Sequence, residues 1–359
     1  MNHGGDVWKA AAALGIAPED LLDFSANINP RGLPPRALDR LRSSASNPRT
    51  LSFYPDPSAS VLRKALSLRL DVPPEAIVIG PGAEALLNPA LRITNASRAL
   101  VPIPAFSEYR RVCEQLQVQF VPFPLSRAAD FQVPVDDFCA AIQPGAVFLN
   151  SPHNPSGAAL CSSGVRRILD AAGTARATMI LDEAFIDYVP SASVSSEAAS
   201  RPGVIAIRSL TKFYGCPALR VGYAVAHPDT ARRIARLLPA WPVTQFAIEA
   251  LAEALGDAEY AAASILENQA ARQQLAEGLT ALGLVSFPSA ANFLLLELQP
   301  GMLSSSNLCV SLVRHHRILA RDCESYEGLT RGRYVRVAVR NEADNRLLIR
   351  ALEQELNRR

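Results

Sequence analysis

The stretch that decides the fold reads SLTKFYGCPALRVG and runs from Ser209 to Gly222. Its lysine, Lys212, follows a short apolar run of strand type, Val204–Ile207, and lies between the hydroxyl of Ser209 and the guanidinium of Arg220. A lysine amine can form a Schiff base with a carbonyl cofactor, while a hydroxyl and a guanidinium hold that cofactor's phosphate. A solvated loop lysine is the other interpretation, and the rest of the chain decides between the two.

Composition indicates an intracellular protein with a large core. The 359 residues are 49% hydrophobic and carry a net charge of +2, which argues against a dedicated nucleic-acid or membrane-surface binder. The six cysteines have no C-x-x-C spacing and fit reduced thiols, and the five scattered histidines do not suggest a metal site. The first residues lack a basic segment followed by an apolar one, and no apolar run reaches the roughly 18 residues of a membrane span. We predict a soluble, cytoplasmic protein that binds no metal, nucleic acid or membrane.

The order of the predicted elements indicates an α/β fold. Short apolar strands alternate with helices of about 8–12 residues, which is typical of a mainly parallel sheet covered on both faces. The seven predicted strands cover residues 77–79, 99–101, 118–121, 146–149, 178–181, 204–207 and 221–225.

The sequence changes character after residue 228, where long helices precede a smaller α+β unit. We predict one strand over residues 285–298, and a helix over 257–282 that is long enough to bridge two domains. Near the other end of the chain, Ser58 or Ser60 is the predicted N-cap of a helix that ends at residue 70. The predicted parts are an N-terminal segment that joins the small domain (1–50), a large cofactor-binding domain (51–255) and a small C-terminal domain (256–359).

Polar loops follow four of the predicted strands. They read GPGAE at residues 80–84, PAFSEY at 104–109, NSPHNPSG at 150–157 and DEAF at 182–185. Ligands of parallel sheets collect at the carboxyl ends of the strands, and the glycine-rich start of a helix offers N–H groups to a phosphate. Each loop alone is also an ordinary turn, but four of them ahead of Lys212 favour one shared site.

Four motifs resemble those of the fold-type I pyridoxal-phosphate enzymes, in the branch that contains the histidinol-phosphate aminotransferases. They are Asn154-Pro155-Ser156-Gly157, Asp182-Glu183-Ala184-Phe185, Ser209-x-x-Lys212 and Arg220-Val221-Gly222, and they occur in the order found in that family. The resemblance covers essentially the whole chain. It implies a large domain with a mainly parallel seven-stranded sheet, a smaller α+β domain, and pyridoxal 5'-phosphate as cofactor.

The resemblance also implies the roles of individual residues. Lys212 would be the Schiff-base lysine and later transfer protons, while Asp182 would pair with the pyridine nitrogen. Asn154 would donate a hydrogen bond to the ring's phenolic oxygen. Tyr54 would reach the phosphate site of a neighbouring subunit, which implies a homodimer. The remaining cofactor contacts would be ring stacking by Phe106 and phosphate binding by Gly82, Ala83, Glu84, Ser209 and Arg220.

Further segments resemble the L-threonine-O-3-phosphate decarboxylases, a family of cobalamin assembly. They are His3-Gly4-Gly5, residues 23–30 (DFSANINP), Trp241-Pro242-Val243 and Arg321-Asp322-Cys323. The resemblance implies that a small phosphorylated amino acid, L-threonine O-3-phosphate, loses CO2 to give (R)-1-amino-2-propanol O-2-phosphate, the linker of the cobalamin nucleotide loop. Arg336 matches an arginine that binds the substrate's carboxylate. Candidates for the second anion are His3, Asn29 and Arg321, and which basic residue holds which anion stays open.

Phe185 is a departure from the aminotransferase pattern, because those enzymes commonly have tyrosine there. The missing hydroxyl removes one hydrogen bond to the phenolic oxygen, and Tyr188 is a candidate to replace it. Fold and cofactor do not fix the reaction, so an aminotransferase of the histidinol-phosphate type that uses glutamate or 2-oxoglutarate is the alternative. A non-catalytic protein of the same fold is a third possibility, against which the intact motif residues argue.

Overall fold

The structure, a computed structural model, describes residues 4–358, so the predicted substrate ligand His3 lies outside the described residues. The strands, in chain order, are β1 (Leu22–Asp23), β2 (Ile77–Gly80), β3 (Arg98–Ile103), β4 (Gln119–Pro124), β5 (Ala146–Asn150), β6 (Thr178–Asp182), β7 (Val204–Ser209), β8 (Gly222–Ala226), β9 (Val285–Ser286), β10 (Phe293–Glu297), β11 (Ile318–Leu319), β12 (Arg321–Asp322) and β13 (Tyr334–Ala338). The helices are α1 (Val7–Leu14), α2 (Pro35–Ser46), α3 (Pro48–Ser52), α4 (Ser60–Leu70), α5 (Glu84–Arg92), α6 (Ser107–Gln115), α7 (Val135–Ala141), α8 (Ser162–Thr174), α9 (Ser195–Ser200), α10 (Leu210–Phe213), α11 (Pro228–Ala235), α12 (Gln245–Leu255), α13 (Ala258–Ala281), α14 (Ser305–His316) and α15 (Glu342–Asn357).

Strands β2 to β8 form one sheet in the order β2-β8-β7-β6-β5-β3-β4. Strand β8 runs antiparallel to β2 and β7, and the other neighbours are parallel, which confirms the predicted mainly parallel seven-stranded sheet. Side chains alternate between two apolar clusters, with Ile79 and Leu181 on one face and Val78 and Ile180 on the other. Because both faces are buried, these strands read as continuous apolar runs.

A second, antiparallel sheet has the order β12-β13-β10-β9, and β1 pairs in parallel with β11 beside it. The prediction of one strand over residues 285–298 is wrong. Residues 287–292 turn the chain back, so that β9 and β10 pair antiparallel with Leu296 opposite Ser286. Pro288, Ser289 and Asn292 are turn-type residues within this stretch, and they outweigh the apolar residues on either side.

Helix α4 begins at Ser60, and its N-terminus is held by an acidic residue rather than by a serine cap. Asp56 accepts hydrogen bonds from the backbone N–H groups of Ser58 and Ser60, at 2.9 and 2.7 Å, and from both hydroxyls. Burial alone would raise the pKa of Asp56, but these hydrogen bonds hold it well below its usual value. The predicted serine cap is therefore wrong, since both serines act as donors to Asp56.

Helix α13 extends from one core to another. Tyr260 and Ala261 near its start pack in the cluster under the large sheet, whereas Leu275 and Leu279 pack beside the antiparallel sheet. The proposed domain boundaries stay a prediction. Among the described helices, none combines the length and the apolarity needed to cross a membrane.

Candidate active site

A cavity of about 500 Å³ opens at the carboxyl ends of the parallel strands. The strand register brings Asn150 opposite Asp182 and Ser209 opposite Gly222, so the polar residues that end β5, β6 and β7 lie side by side. The predicted cofactor and substrate residues that line this cavity are Gly82, Ala83, Glu84, Phe106, Asn154, Asp182, Ser209, Lys212, Arg220, Arg321 and Arg336.

Lys212 lies on the single turn of α10, directly after β7. Burial lowers the pKa of the Lys212 amine, the charges of Arg220 and Arg336 lower it further, and Asp182 opposes the shift. The Nζ atom lies 5.0 Å from the centre of the Phe185 ring. A lysine with a lowered pKa keeps more of its amine unprotonated at a given pH, and the unprotonated amine is the nucleophile.

Asp182 is buried and receives two hydrogen bonds from the protein. The Tyr109 hydroxyl donates to Oδ2 at 2.6 Å, and the Ala184 backbone N–H donates to Oδ1 at 2.9 Å. Burial raises the pKa of Asp182, while Tyr109, Lys212 and Ala184 all lower it. The carboxylate is therefore held in a fixed orientation at the floor of the cavity, where it can pair with a cationic N–H group.

The phosphate end of the predicted cofactor site is built by a close approach of two loops. Gly82 has a φ of +99°, and a Cβ there would lie 2.8 Å from Nη2 of Arg220. A Cβ on Gly222 would lie 2.3 Å from the Ala83 nitrogen. The two glycines thus let Arg220 and the start of α5 meet beside Ser209.

This donor set fits the cofactor that the sequence resemblance implies. The start of α5, the Ser209 hydroxyl and the Arg220 guanidinium suit a dianionic phosphate, and Asp182 suits a protonated ring nitrogen. Phe106 supplies an aromatic face on the cavity wall. The residues that could hold pyridoxal 5'-phosphate are therefore gathered around one cavity.

A cluster of polar side chains forms the opposite wall, toward the antiparallel sheet. Arg336 is buried and donates from Nη1 to Asn154 Oδ1 at 2.5 Å and from Nη2 to the Ser25 carbonyl at 3.0 Å. The Tyr326 hydroxyl also lies 3.1 Å from Asn154 Oδ1. Arg321 is buried beside them, with Nη2 donating to Ser325 Oγ at 2.9 Å.

Two guanidinium groups on strands β12 and β13 of the antiparallel sheet thus line the cavity in addition to that of Arg220. A ligand with two anionic groups, in addition to a phosphorylated cofactor, matches this arrangement.

A family model for class I and II aminotransferases matches residues 19–352. The chain belongs to this family.

The relatives within the family include both of the predicted reaction types. The threonine-phosphate decarboxylase of Salmonella typhimurium is 34% identical, with 99% of this chain and 96% of that protein covered. The histidinol-phosphate aminotransferase of Methanococcus aeolicus is 28% identical, with 97% and 94% covered. Among solved structures, the L-threonine-O-3-phosphate decarboxylase of Porphyromonas gingivalis has a TM-score of 0.80 and 26% identity, with 93% of this chain and 99% of that chain covered. These similarities confirm the resemblance found in the sequence.

Asn29 does not line the active-site cavity, and the structure gives it other partners. Its Nδ2 group donates to the Phe213 carbonyl at 2.8 Å and to the Ser264 hydroxyl at 3.0 Å. The neighbouring asparagine, Asn27, lines the cavity instead, and its Oδ1 is buried without a hydrogen-bond partner among the described residues. The structure therefore does not bring Asn29 to the cavity that holds the other predicted substrate residues, Arg321 and Arg336.

Two further predicted groups lie away from the cavity. Tyr54 is 78% exposed and stacks on Trp241, with ring centres 4.3 Å apart. Tyr188 is buried against Phe213 and does not line the cavity, so it is not positioned to replace the hydroxyl that Phe185 lacks. Tyr326 lines the cavity instead and donates its hydroxyl hydrogen to Asn154 Oδ1, and no motif in the sequence pointed to it.

His153 joins two loops of the site as a neutral ring. Its Nε2–H donates to the Pro104 carbonyl at 2.8 Å, so Nδ1 is free to accept from the Ser156 hydroxyl at 2.7 Å. Burial lowers the pKa of His153 to about 4. The bond to Pro104 ties the loop that carries Phe106 to the loop that carries Asn154.

This lowered pKa predicts a loss of stability in acid. An unfolded histidine titrates near pH 6.5, so between about pH 6.5 and 4 the unfolded chain binds more protons than the native one. We expect about 3 kcal/mol of stability, present above pH 6.5, to be lost across this range, and less to be lost in His153→Asn. Urea unfolding at a series of pH values measures the slope, with the surface variant His227→Asn as control. Parallel pH profiles for the wild type and His153→Asn would contradict the prediction.

Proposed function

We propose that the protein is a pyridoxal-phosphate-dependent carboxy-lyase that converts L-threonine O-3-phosphate to (R)-1-amino-2-propanol O-2-phosphate. The observation that carries the proposal is the pair of buried arginines, Arg321 and Arg336, which line the cavity in addition to Arg220. The substrate has a carboxylate and a phosphate, so it needs two anion receptors besides the one for the cofactor's phosphate. The similarity to threonine-phosphate decarboxylases supports the same substrate class.

The cofactor is held by residues of the large sheet. Asp182 would bind the ring nitrogen, Asn154 the phenolic oxygen and Phe106 the ring face, while Arg220 and Ser209 would bind the phosphate together with the start of α5, and all of these groups line the cavity. Bound there, pyridoxal phosphate supplies a carbonyl for the substrate's amine and a protonated ring that accepts the electron pair of a broken bond at Cα. The negative charge of Asp182 keeps the ring nitrogen protonated, which is the condition for that electron uptake.

The two arginines orient the substrate. Arg336 is near enough to Lys212 for its charge to lower the pKa of the lysine amine, and it also contacts Asn154. The substrate's carboxylate is attached to the carbon that reacts beside Lys212, so we assign the carboxylate to Arg336. Arg321 also lines a neighbouring cavity of about 740 Å³ that includes none of the predicted cofactor residues, and we assign the phosphate to it.

This orientation selects the bond that breaks. The bond at Cα that stands perpendicular to the cofactor ring is the one that cleaves, and two fixed anions hold the Cα–carboxylate bond in that direction. Loss of CO2 leaves Cα in need of a proton. The Lys212 amine, or a water molecule beside it, supplies that proton.

The amide of Asn27 completes the phosphate pocket in this proposal. We expect Asn27→Ala to raise KM for threonine phosphate about tenfold, the effect of one hydrogen bond to a charged group, and to leave cofactor affinity unchanged. Asn29→Ala is the matched comparison. It is expected to lower the free energy of unfolding by about 1–3 kcal/mol, because the Phe213 carbonyl and the Ser264 hydroxyl lose their partner. Steady-state kinetics and urea unfolding of both variants measure this difference, and an unchanged KM in Asn27→Ala would contradict the assignment.

The rival reaction is transamination of histidinol phosphate with glutamate or 2-oxoglutarate, because the same cofactor residues serve both reactions. The test adds each substrate separately to the pure, cofactor-loaded enzyme. CO2 release from threonine phosphate without any oxo acid is the expected result. Turnover of histidinol phosphate that depends on an oxo acid, without CO2, would overturn the proposal.

A homodimer is the second part of the proposal. The exposed aromatic pair of Tyr54 and Trp241 lies near exposed Leu51 and Phe53, and such apolar groups are typical of a subunit interface. Tyr54 then extends toward the phosphate site of the neighbouring subunit. Sedimentation equilibrium should give twice the chain mass, and Phe53→Glu should shift the measured mass toward that of the monomer.

The cytoplasmic location and the use of the product in cobalamin assembly stay predictions from the sequence.

A further inference from the structure

Tyr109 connects two residues of the cofactor site although it contributes no lining atom of its own. It lies on α6, is 2% exposed, and donates its hydroxyl hydrogen to Oδ2 of Asp182 at 2.6 Å. Its ring also meets Phe106 edge to face, with the ring centres 5.8 Å apart. Tyr109 therefore touches both the carboxylate beneath the cofactor's nitrogen and the aromatic ring that packs on the cofactor.

The Tyr109 ring has little freedom to move. It is stacked on Phe148 of β5, with ring centres 4.9 Å apart and planes 23° from parallel. Burial and the charge of Asp182 raise the pKa of Tyr109 well above its usual value, so the hydroxyl keeps its proton and remains a donor. A fixed ring with a permanent O–H group is a preorganised partner for one carboxylate oxygen.

Tyr109 is one of a small set of groups that favour the ionised form of Asp182. The buried carboxylate resists ionisation, and the ammonium charge of Lys212 is one of the groups that favours it. Once the Lys212 amine is used to attach the cofactor, its full ammonium charge is no longer available. The hydrogen bonds from Tyr109 and from the Ala184 N–H then remain as the protein's support for the ionised form.

We infer that Tyr109 is a positioning residue that holds Asp182 as an oriented carboxylate against the ring nitrogen of the cofactor. The inference rests on the proposed role of Asp182, and it does not depend on which bond at Cα is broken. The hydroxyl acts through Asp182, so its removal weakens an interaction with one atom of the cofactor. A general packing role would weaken every contact of the cofactor alike.

The test uses equilibrium dialysis to measure Kd of the apoenzyme for each of two ligands. One is pyridoxal 5'-phosphate, and the other is its 1-deaza analogue, in which a C–H group replaces the ring nitrogen. We expect Tyr109→Phe to raise Kd for pyridoxal phosphate about tenfold and to change Kd for the analogue less than about twofold, in line with one charged hydrogen bond. The matched control is Tyr334→Phe. Tyr334 is also a buried tyrosine whose hydroxyl donates to a carboxylate, Glu297 at 3.3 Å, but this pair lies outside the cavity.

The outcomes separate this inference from the proposed reaction. Equal weakening of both ligands in Tyr109→Phe would overturn it, because that result indicates a packing role. Equal binding of both ligands by the wild type would also overturn it, since Asp182 would not then distinguish the ring nitrogen. Failure of the wild type to release CO2 would contradict the proposed reaction alone, and the binding comparison would still decide the role of Tyr109.

Discussion

Replacing Lys212 by alanine is expected to lower CO2 release from threonine phosphate by at least about a thousandfold, since the variant loses both the covalent anchor and the group that transfers a proton to Cα. The visible absorbance of the bound cofactor should disappear as well, or revert to that of cofactor bound without a covalent link. Lys212 lines the cavity and burial lowers the pKa of its amine, and both features favour it over a surface lysine as the nucleophile.

The chain offers a direct control, because its lysines are Lys9, Lys64 and Lys212. Borohydride reduction of the loaded enzyme, followed by peptide mapping, should place the cofactor label on Lys212 and leave the other two unlabelled. Lys64→Ala, on helix α4 and away from the cavity, should retain full activity. A colourless wild-type protein, or label on Lys9 or Lys64, would contradict the assignment and would favour the non-catalytic interpretation.

The cofactor half of the site is predictable from the sequence because its information is local. Apart from the edge strand β4, the strands of the large sheet are buried on both faces and read as apolar runs, and a polar loop directly follows several of them. Asp182 and Ser209 are therefore predictable as the first polar residues after an apolar strand segment ends. The parallel topology then brings these ends together without any further information.

The substrate half depends on contacts between distant parts of the chain, which the sequence does not encode locally. Within the predicted polar segment 23–30, Asn27 lines the cavity and Asn29 does not, although the two residues are of the same type and two positions apart. Asn29 points away from the cavity because its side-chain amide donates to the Phe213 carbonyl and the Ser264 hydroxyl, which lie far along the chain. Tyr326 is missed for the same reason, because its partner Asn154 lies 172 residues earlier in the chain.

Arg321→Gln is expected to lower kcat/KM for threonine phosphate about a hundred- to thousandfold, because a buried phosphate loses its charged partner. Cofactor affinity should stay unchanged, since Arg220 rather than Arg321 serves the cofactor's phosphate. The matched control is Arg331→Gln, which lines the neighbouring cavity but not the active site. Kinetics with threonine phosphate, together with cofactor titration of each variant, measure the effect.

The two arginines can be told apart by pairing each variant with a substrate that lacks one anion. Unphosphorylated threonine has only a carboxylate, so its slow turnover should survive in Arg321→Gln and be lost in Arg336→Gln if Arg336 holds the carboxylate. The reverse pattern would exchange the two assignments. Loss of both activities in both variants would mean that the two arginines act as one unit. Their shared neighbour Tyr326 makes this possible, because its hydroxyl lies 3.3 Å from Nη1 of Arg336 and its ring lies under the guanidinium of Arg321. The choice of the cleaved bond then depends on how far apart the protein keeps the two charges, and not on the lysine that both reaction types share.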